Sequence, residues 1–498
     1  MFKGHPLFSM ESVYRAYRRC RRHKRGTVNA MRFEENLEEN LVALHEELSA
    51  GTYRPGKSVA FLVEKPKRRE IFAADFRDRV VHHILVGHLE PEWERRFIHD
   101  SYACRKGKGT HRGVERLRSF ARQVTANGTR RAWYLQLDVR GYFITLDRNI
   151  LLERISRQER NPAALWLART LIFHEPTENC RLRAATRADF ERLPAHKTLF
   201  KADPHCGLPI GNLTSQFFAN VYLDALDQFV KHTLKARYYA RYCDDLVLLS
   251  PDKAELEQWE QKINLFAREH LALALNERRR LRPVSDGIDF LGYVVRPDYL
   301  LVRRRVVSAL RQRLVETERT LREMGMTEHA DGHKVFVWHE PLIEDIRQWL
   351  NSYLGHLRRA SCHRLMKAIR SRFAWLNEYF RWESGKPELR CPTPRHALRF
   401  SQQQQSFVDC LPGHVILLRV GNFWQMLSGP IRETAEMWER MALLGRRFHE
   451  RDLRTARHLL WRAAVPVAWI AETGRRVGTI AERALICRWA VGAMSVED

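Results

Sequence analysis

The stretch Arg241-Tyr242-Cys243-Asp244-Asp245-Leu246-Val247 places two adjacent carboxylates between the apolar runs 237–242 and 246–249. The two runs predict strands joined by a tight turn, and because Asp is common in turns, a plain hairpin is one interpretation. Neighbouring carboxylates repel each other, however, so one of them resists ionisation unless a cation lies close. A hard cation such as Mg²⁺ prefers oxygen ligands. The stretch therefore indicates a metal site at a hairpin turn.

Another carboxylate stands at the end of a second predicted strand. Residues 132–138 form an apolar run that ends on Asp138, and the aromatic Phe143 follows five residues later. Taken alone, such an Asp could cap the next helix. Together with Asp244, it would supply carboxylates from separate strands. A two-metal site for nucleotidyl transfer needs this arrangement, with one ion at the attacking 3′-hydroxyl and one at the triphosphate.

A Gly-Pro turn lies between these two motifs. Residues 207–216 read Gly-Leu-Pro-Ile-Gly-Asn-Leu-Thr-Ser-Gln and lead into an apolar helix predicted over 213–235. An ordinary turn with Thr214 or Ser215 as the helix N-cap is one interpretation. The functional interpretation places this turn under a templating base.

Composition favours a nucleic-acid partner. The chain has 498 residues, a formal net charge of +26 and 44% hydrophobic residues, so it can bury a core and attract polyanions. A basic protein bound to ribosomes or acidic membranes has the same signature. No window reaches the ~18 apolar residues of a membrane-spanning helix. Without such a window, no membrane partner is expected. The nine cysteines include no C-x-x-C pair, which favours a reducing cytoplasm.

The order of the motifs resembles that of bacterial reverse transcriptases of the group II intron-like lineage. It runs from Asp138 through the G-x-x-x-S turn and the 242–245 hairpin to Phe290-Leu291-Gly292-Tyr293, and it covers roughly residues 55–380. The strings 66–71 and 101–109 resemble the finger motifs of these enzymes. The resemblance implies an α+β, right-hand polymerase fold with fingers, a palm with an antiparallel sheet, and a helical thumb.

The Gly-Pro turn indicates which branch of the bacterial reverse transcriptases the chain resembles. Most reverse transcriptases carry Gln-Gly-x-x-x-Ser-Pro, whereas this chain has Ile210 before the Gly and Gln216 after the Ser. That pattern resembles diversity-generating retroelement enzymes, which copy a template RNA with errors at adenines. Some defence-associated bacterial reverse transcriptases look similar.

The resemblance also implies roles for single residues. Asp138 and Asp244 match the metal ligands, with Asp245 assisting and the Val139 carbonyl facing a metal; the metal is Mg²⁺, with Mn²⁺ as the alternative. Phe143 matches the steric gate against a ribonucleotide 2′-hydroxyl. The 290–293 segment matches the primer grip, and the dNTP-binding set is Lys65, Arg69, Phe143, Ile210, Gln216 and Arg279.

Arg279 departs from the family pattern. Relatives often carry a Lys at this place as a proton donor to pyrophosphate, and a guanidinium scarcely deprotonates. Arg279 could stabilise charge there, but the pattern does not predict a general acid.

The C-terminal segment has an apolar pattern of its own and is predicted to fold separately. Residues 413–427 resemble the N-terminal mismatch-recognition module of MutS-type repair proteins, in which a Phe stacks on a base and a Glu contacts it. Phe423 fits the Phe, and Gln425 replaces the Glu. A buried aromatic on a core strand is the alternative for Phe423.

Pattern and resemblance together predict six regions. They are a basic helical extension over 1–52, fingers over 53–130, a palm over 131–305 with a fingers insertion near 150–205, a thumb over 306–384 that is helical to about 381, a linker over 385–406 and a small α/β module over 407–498.

Three functions remain open at this point. The first is an RNA-directed DNA polymerase that makes cDNA from a dedicated RNA in a diversity-generating retroelement. The second is an anti-phage defence enzyme acting with a noncoding RNA, and the third is a non-catalytic RNA-binding scaffold. Expected partners are the RNA template or noncoding RNA, the cDNA product, dNTPs, and an accessory protein or a second copy of the chain.

Overall fold

The computed structural model describes residues 1–22, 26–64, 68–397, 399–428, 447–477 and 480–491. The chain divides into two compact units. The first contains Met1–Leu291 and Val295–Asp298, and the second contains Gly292–Val294 and Tyr299–Asp498. Helices and strands alternate through both units, so the predicted α+β class is confirmed.

The first unit is built around an antiparallel four-stranded sheet, here called the central sheet. Its strand order is Tyr238–Tyr242, Asp245–Ser250, Trp133–Asp138 and Arg280–Pro283. The strand Asp245–Ser250 is buried over five consecutive residues, as an interior strand covered on both faces should be. The predicted strands at 132–138, 237–242 and 246–249 are therefore confirmed to within about one residue at each end.

A smaller three-stranded sheet, here called the side sheet, lies in the same unit. Ser58–Val63 pairs antiparallel with Arg69–Ala73 and parallel with Cys180–Leu182. The region near 150–205, where we predicted an insertion, contains helices and this third strand. The unit's helices are Met10–Arg21, Val28–Glu35, Leu37–Ala50, Phe76–Arg96, Thr110–Val124, Tyr142–Thr145, Arg148–Gln158, Pro162–Ile172, Arg187–Glu191, Leu213–Gln228 and Lys253–Leu271.

Local sequence explains where these helices begin. Asp75 caps the helix Phe76–Arg96 through its side chain, and Asp252 caps Lys253–Leu271 in the same way. The helix Leu213–Gln228 is apolar on most sides and is buried along nearly its whole length, as expected for a helix inside a core. It contributes to one large hydrophobic cluster that also contains the central-sheet leucines.

Three short strands follow the central sheet, at Ile288–Phe290, Tyr293–Val295 and Leu300–Val302. The chain passes between the two units in this segment.

The second unit contains a seven-stranded sheet, here called the large sheet. Its strand order is Thr327–Glu328, His333–Val337, Ile480–Val491, Val467–Val477, Val415–Val420, Phe423–Ser428 and Arg447–His449. A separate hairpin consists of Phe380–Glu383 and Lys386–Leu389. The helices of this unit within the described residues are Arg304–Glu323, Glu340–Leu357, His363–Arg372, Leu376–Tyr379, Phe400–Cys410 and Leu453–Arg462.

Three expectations for this unit were wrong. Residues 306–381 are not helical throughout, because His333–Val337 is a strand that pairs antiparallel with the C-terminal strand Ile480–Val491. The predicted linker carries the helix Phe400–Cys410, in which Gln403 is buried and donates to the Ala481 carbonyl at 3.2 Å. The C-terminal segment therefore shares its sheet with the predicted thumb instead of folding separately. Truncation near residue 400 would remove the strand that pairs with His333–Val337.

None of the helices in the described ranges is long and apolar enough to cross a membrane.

Candidate active site

Asp138 lies at the end of the central strand Trp133–Asp138, directly opposite Asp245 on the neighbouring strand. Its carboxylate is half-buried and accepts a hydrogen bond from the Asn276 side-chain amide at 3.0 Å. The Asn276 backbone N–H donates to the Asp138 carbonyl at 2.7 Å. Asn276 thus holds both the backbone and the side chain of this residue, a partner that the sequence patterns did not reveal.

Asp244 lies in the turn between the first two strands of the central sheet. Its carbonyl accepts from the Val139 N–H at 3.3 Å, which joins the turn to the end of the Asp138 strand. Burial and the negative charge of Asp138 raise the pKa of Asp244, while hydrogen bonding and the positive charge of Arg69 lower it. The two carboxylates that we predicted to act together therefore lie within electrostatic reach of each other.

Asp245 differs from Asp244 in the contacts of its side chain. Its Oδ1 accepts from the Gln136 side-chain amide at 2.9 Å. Gln136 stands two residues before Asp138, and because strand side chains alternate, it lies on the same sheet face as Asp138 and Asp245. The same Gln136 amide donates to the Asp289 carbonyl at 3.2 Å. The Gln136 hydrogen bond thus fixes the Asp245 side chain on the sheet. The alternation of side chains along the strand was the sequence signal that could have revealed Gln136.

Across the described ranges, no group of three or more His, Cys, Asp or Glu side chains is arranged to hold a metal ion. The site therefore offers a pair of carboxylates, Asp138 and Asp244, as its candidate oxygen ligands. Mg²⁺ usually takes only one or two carboxylates and completes its shell with water and substrate phosphates.

The Gly-Pro turn lies against the side-sheet strand that begins at Arg69. The Phe72 N–H donates to the Ile210 carbonyl at 2.8 Å, and the Ala74 N–H donates to Asn212 Oδ1 at 3.2 Å. Gly211 adopts φ +123°, and a Cβ there would lie 2.9 Å from Ile71 and 3.0 Å from the Phe72 carbonyl. Only glycine fits this close approach. The turn and the Arg69 strand therefore form one connected structure.

Phe143 follows Asp138 on the short helix Tyr142–Thr145. Its ring is half-buried, packs against the main hydrophobic cluster and contacts Tyr142 at a centroid distance of 5.5 Å. The Phe143 carbonyl accepts from the Leu208 N–H at 2.7 Å, which connects this helix to the Gly-Pro turn. Val139, between Asp138 and this helix, is buried.

The predicted dNTP-binding residues have different surroundings. Arg69 is exposed, and its charge acts on Asp244. Gln216 is exposed on the first turn of the helix Leu213–Gln228. Arg279 instead forms an ion pair with Glu260 on the helix Lys253–Leu271. Lys65 lies outside the described residues.

The predicted primer-grip segment crosses the boundary between the units. In the first unit, Phe290 is buried and Leu291 has a left-handed backbone with φ 49°. In the second unit, Gly292 has φ 96°, and the buried Tyr293 donates its hydroxyl to the His356 carbonyl at 3.1 Å.

Phe423 lies on a strand of the large sheet and is 38% exposed, so the alternative of a fully buried aromatic is wrong. The Arg447 guanidinium lies 4.6 Å from its ring centroid, and the His449 ring meets it edge-on at 5.2 Å. The next residue, Trp424, is the buried aromatic of this strand.

A buried ion pair beside the turn was not predicted from the sequence. Arg241 and Asp227 are both 0% exposed, and their closest N–O distance is 2.6 Å. The sequence signal for this pair was that Asp227 and Arg241 each stand within an apolar run. Buried charges are almost always paired, so each of the two requires a partner of opposite charge.

Part of the chain is similar to known proteins. A family model described as reverse transcriptase (RNA-dependent DNA polymerase) matches residues 63–295. Protein YkfC of Escherichia coli (strain K12) is 25% identical over 322 residues, which cover 57% of this chain and 79% of YkfC.

Two telomerase structures resemble the chain only distantly. The telomerase of Candida albicans, solved with a fragment of telomeric RNA, has a TM-score of 0.37 and 11% identity, and the match covers 66% of this chain and 58% of that one. The apo telomerase of Candida tropicalis, truncated from its C-terminal domain, has a TM-score of 0.35 and 11% identity, with 50% of this chain and 55% of that one covered. The matches thus span little more than half of each telomerase chain.

The family match covers the central sheet, the turn with Asp244 and the Gly-Pro turn. It bears out the predicted polymerase type of fold and favours an enzyme over a non-catalytic scaffold. Residues 63–295 form a reverse transcriptase domain, and the chain is an RNA-directed DNA polymerase, a nucleotidyltransferase.

Proposed function

We propose that this polymerase makes cDNA from a dedicated RNA at a two-metal site whose protein ligands are Asp138 and Asp244. The observation that supports this most is that the Asp244 carbonyl accepts from the Val139 N–H at 3.3 Å, which places the Asp244 turn beside the strand end that carries Asp138. Two carboxylates held this way repel each other, and divalent cations between them would remove that repulsion. Mg²⁺ fits the oxygen donors, and Mn²⁺ is the alternative.

When bound, the cations would supply activation of the primer 3′-hydroxyl and charge stabilisation at the triphosphate. The protein's own groups position this chemistry. Asn276 orients Asp138 through a hydrogen bond to its carboxylate. Asp245 assists from the sheet, where Gln136 holds it on the same face as Asp138.

Substrate selection falls to the residues around this pair. Phe143 serves as the steric gate, because its ring follows Asp138 on a helix that is hydrogen-bonded to the Gly-Pro turn. Arg69 would bind the triphosphate, since it is exposed and its charge already acts on Asp244. Lys65, Ile210 and Gln216 complete the proposed dNTP contacts. The contribution of Arg279 is charge stabilisation, which would require it to leave Glu260.

Residues 290–293 are proposed to hold the primer end. Their sequence, Phe290-Leu291-Gly292-Tyr293, matches the primer-grip motif of the family that the chain resembles, and this match supports the proposal. In the second unit, Phe423 is proposed as a base-stacking residue, because it is exposed beside Arg447 and His449.

The biological role proposed is that of a diversity-generating retroelement enzyme. Ile210 before Gly211 and Gln216 after Ser215 support this branch. The same residues support an anti-phage defence enzyme acting with a noncoding RNA. Sequencing the RNA and cDNA that copurify with the protein separates the two: a retroelement enzyme yields cDNA of a template repeat with substitutions at adenines, and a defence enzyme yields cDNA of a noncoding RNA or none.

The catalytic proposal is tested with Asp244→Ala on a primed RNA template. We expect dNTP incorporation to fall by several orders of magnitude while RNA binding persists, because the charge stabilisation at the metals is lost. Asp252→Ala is the matched control: it removes an Asp that caps a helix in the same unit and should leave synthesis near the parent's rate. Near-normal synthesis by Asp244→Ala would reject the assignment.

A further inference from the structure

The buried ion pair between Arg241 and Asp227 requires an explanation. Both side chains are 0% exposed. Removing two charges from water costs several kcal/mol per ion, and an apolar pair of similar volume is often as stable or more so. A function for the pair must therefore be sought in what else it contacts.

Asp227 uses both oxygens to hold the arginine. Arg241 Nε donates to Asp227 Oδ1 at 2.8 Å and Oδ2 at 2.9 Å, and Nη2 donates to Oδ2 at 2.6 Å. The Tyr239 hydroxyl also donates to Asp227 Oδ1 at 2.6 Å. These bonds fix the guanidinium plane on the side of the helix Leu213–Gln228.

The remaining nitrogen of the guanidinium faces the turn. Arg241 Nη1 donates to the Cys243 carbonyl at 2.9 Å and to Asn220 Oδ1 at 3.2 Å. The carbonyl of Cys243 belongs to the peptide that joins Cys243 to Asp244. Arg241 therefore holds the peptide that immediately precedes the proposed metal ligand.

The turn requires this hydrogen bond because its backbone conformation is energetically unfavourable. Cys243 has φ 56°, in the left-handed region that a non-glycine residue seldom adopts. Conformations of this kind persist where the surroundings enforce them, and they cluster at functional sites. The buried Arg241–Asp227 pair supplies that enforcement from within the core.

The backbone of Arg241 is also fixed. Its N–H donates to the Asp100 carbonyl and its carbonyl accepts from the Tyr102 N–H, each at 2.9 Å. Asn220 donates to the Ala103 carbonyl at 2.8 Å. Segment 100–103, the helix Leu213–Gln228 and the turn thus meet at one arginine, so the position of the turn is determined by two other parts of the first unit.

We propose that Arg241 is a positioning residue that sets the orientation of Asp244 for metal binding, through the Cys243 carbonyl. This inference rests on the proposed metal role of Asp244. The positioning role requires the forked guanidinium. A lysine could still pair with Asp227, but it offers a single ammonium in place of the planar set of donors.

The test is a Mg²⁺ titration of primer extension at fixed dNTP concentration, with each variant scaled to its own maximal rate. Arg241→Lys retains the charge pair and loses the fork, and Arg241→Met removes both. Arg488→Met is the matched control, because Arg488 is also a buried arginine, 3% exposed and paired with Glu378, in the other unit. Thermal unfolding of every variant is recorded alongside.

We expect Arg241→Lys to raise the Mg²⁺ midpoint on the order of tenfold, the effect typical of losing a residue that orients a metal ligand. Its melting temperature should fall less than that of Arg241→Met, and Arg488→Met should lose melting temperature without a shift in midpoint. A parental midpoint in Arg241→Lys overturns the positioning role, whatever its maximal rate. Asp244→Ala in the same assay keeps the two proposals apart: if it is inactive, the proposed function stands even when the positioning role fails.

Discussion

Two hairpins of this molecule share a local contact and differ in how it is supported. In the central sheet, Arg241 donates to the carbonyl of Cys243, two residues later, at 2.9 Å. In the large sheet, Arg419 donates to the carbonyl of Gly421, also two residues later, at 3.1 Å. Both turns place a residue in the left-handed region, with φ 56° at Cys243 and 58° at Gly421.

The difference lies in burial. Arg241 and its partner Asp227 are 0% exposed, whereas Arg419 and its partner Glu450 are 42% and 40% exposed. The exposed arginine is solvated, so its ion pair adds little to the stability of the fold. Glycine adopts the left-handed backbone at little cost in free energy. The buried arginine enforces the same backbone on a cysteine. One turn is therefore determined by tertiary contacts, and the other by its own residue type.

The largest expected effect comes from breaking the two ion pairs. Asp227→Asn leaves Arg241 buried without a counter-charge, which should lower the free energy of unfolding by about 3–5 kcal/mol. Glu450→Gln should change it by less than about 1 kcal/mol, because that pair is exposed and Gln can still accept from Trp424. Urea unfolding of both variants measures the contrast. Equal losses would show that burial does not distinguish the two hairpins.

A second comparison sets Gly421 against Gly211, the glycine of the Gly-Pro turn. Gly421→Ala should cost about 1–2 kcal/mol, the backbone penalty alone, because a Cβ there meets nothing within 4 Å. Gly211→Ala should cost more and should lower polymerase activity, because its Cβ would press on Ile71 and on the Phe72 carbonyl. Melting temperatures and primer extension measure both. A smaller loss for Gly211→Ala than for Gly421→Ala would contradict the close approach.

A third comparison uses the neighbouring aromatics of the second hairpin. Phe423→Ala should weaken nucleic-acid binding by about 1–3 kcal/mol, the value of stacking on one base, with little change in melting temperature. Trp424→Ala should destabilise the fold by about 3–5 kcal/mol, because Trp424 is 3% exposed. Binding isotherms and thermal scans on the full chain separate the two effects. A Phe423→Ala variant that loses binding only as it unfolds would reject the stacking role.

Sequence patterns predicted those parts of the structure that depend on near neighbours. The strands ending at Asp138 and at Tyr242 were placed to within a residue, because apolar periodicity is local. The strand His333–Val337 was missed, because its partner Ile480–Val491 lies more than 140 residues further along the chain. Strand formation there depends on pairing and burial that local propensity does not encode.

The candidate site shows the same limit. Adjacent carboxylates and their place at strand ends revealed Asp138 and Asp244. The partners that hold them, Asn276 for Asp138 and Arg241 for the turn, come from distant segments and were not predicted. Arg279 was predicted at the triphosphate, but its contact with Glu260 follows from a helix face that the motif did not include.

The smallest expected effect is on fidelity, at the turn packed against the Arg69 strand. The Ile210 carbonyl is already held by the Phe72 N–H at 2.8 Å, so the backbone does not depend on the side chain. Ile210→Gln should therefore fold normally and add a hydrogen-bonding group near the base pair. One such bond is worth about 1 kcal/mol, or several-fold in error rate. We expect misincorporation to fall, most of all at template adenines.

Sequencing of cDNA made by Ile210→Gln on a defined RNA measures this effect, with Ile210→Leu as the control that changes shape and adds no polar group. The control should retain the parent's error spectrum, because an aliphatic side chain cannot discriminate through hydrogen bonds. Unlike the hairpin variants, neither substitution should alter the melting temperature by much, so a change in fidelity would report the contact itself. An Ile210→Gln spectrum indistinguishable from the parent's would count against the diversity-generating branch and leave the polymerase assignment intact.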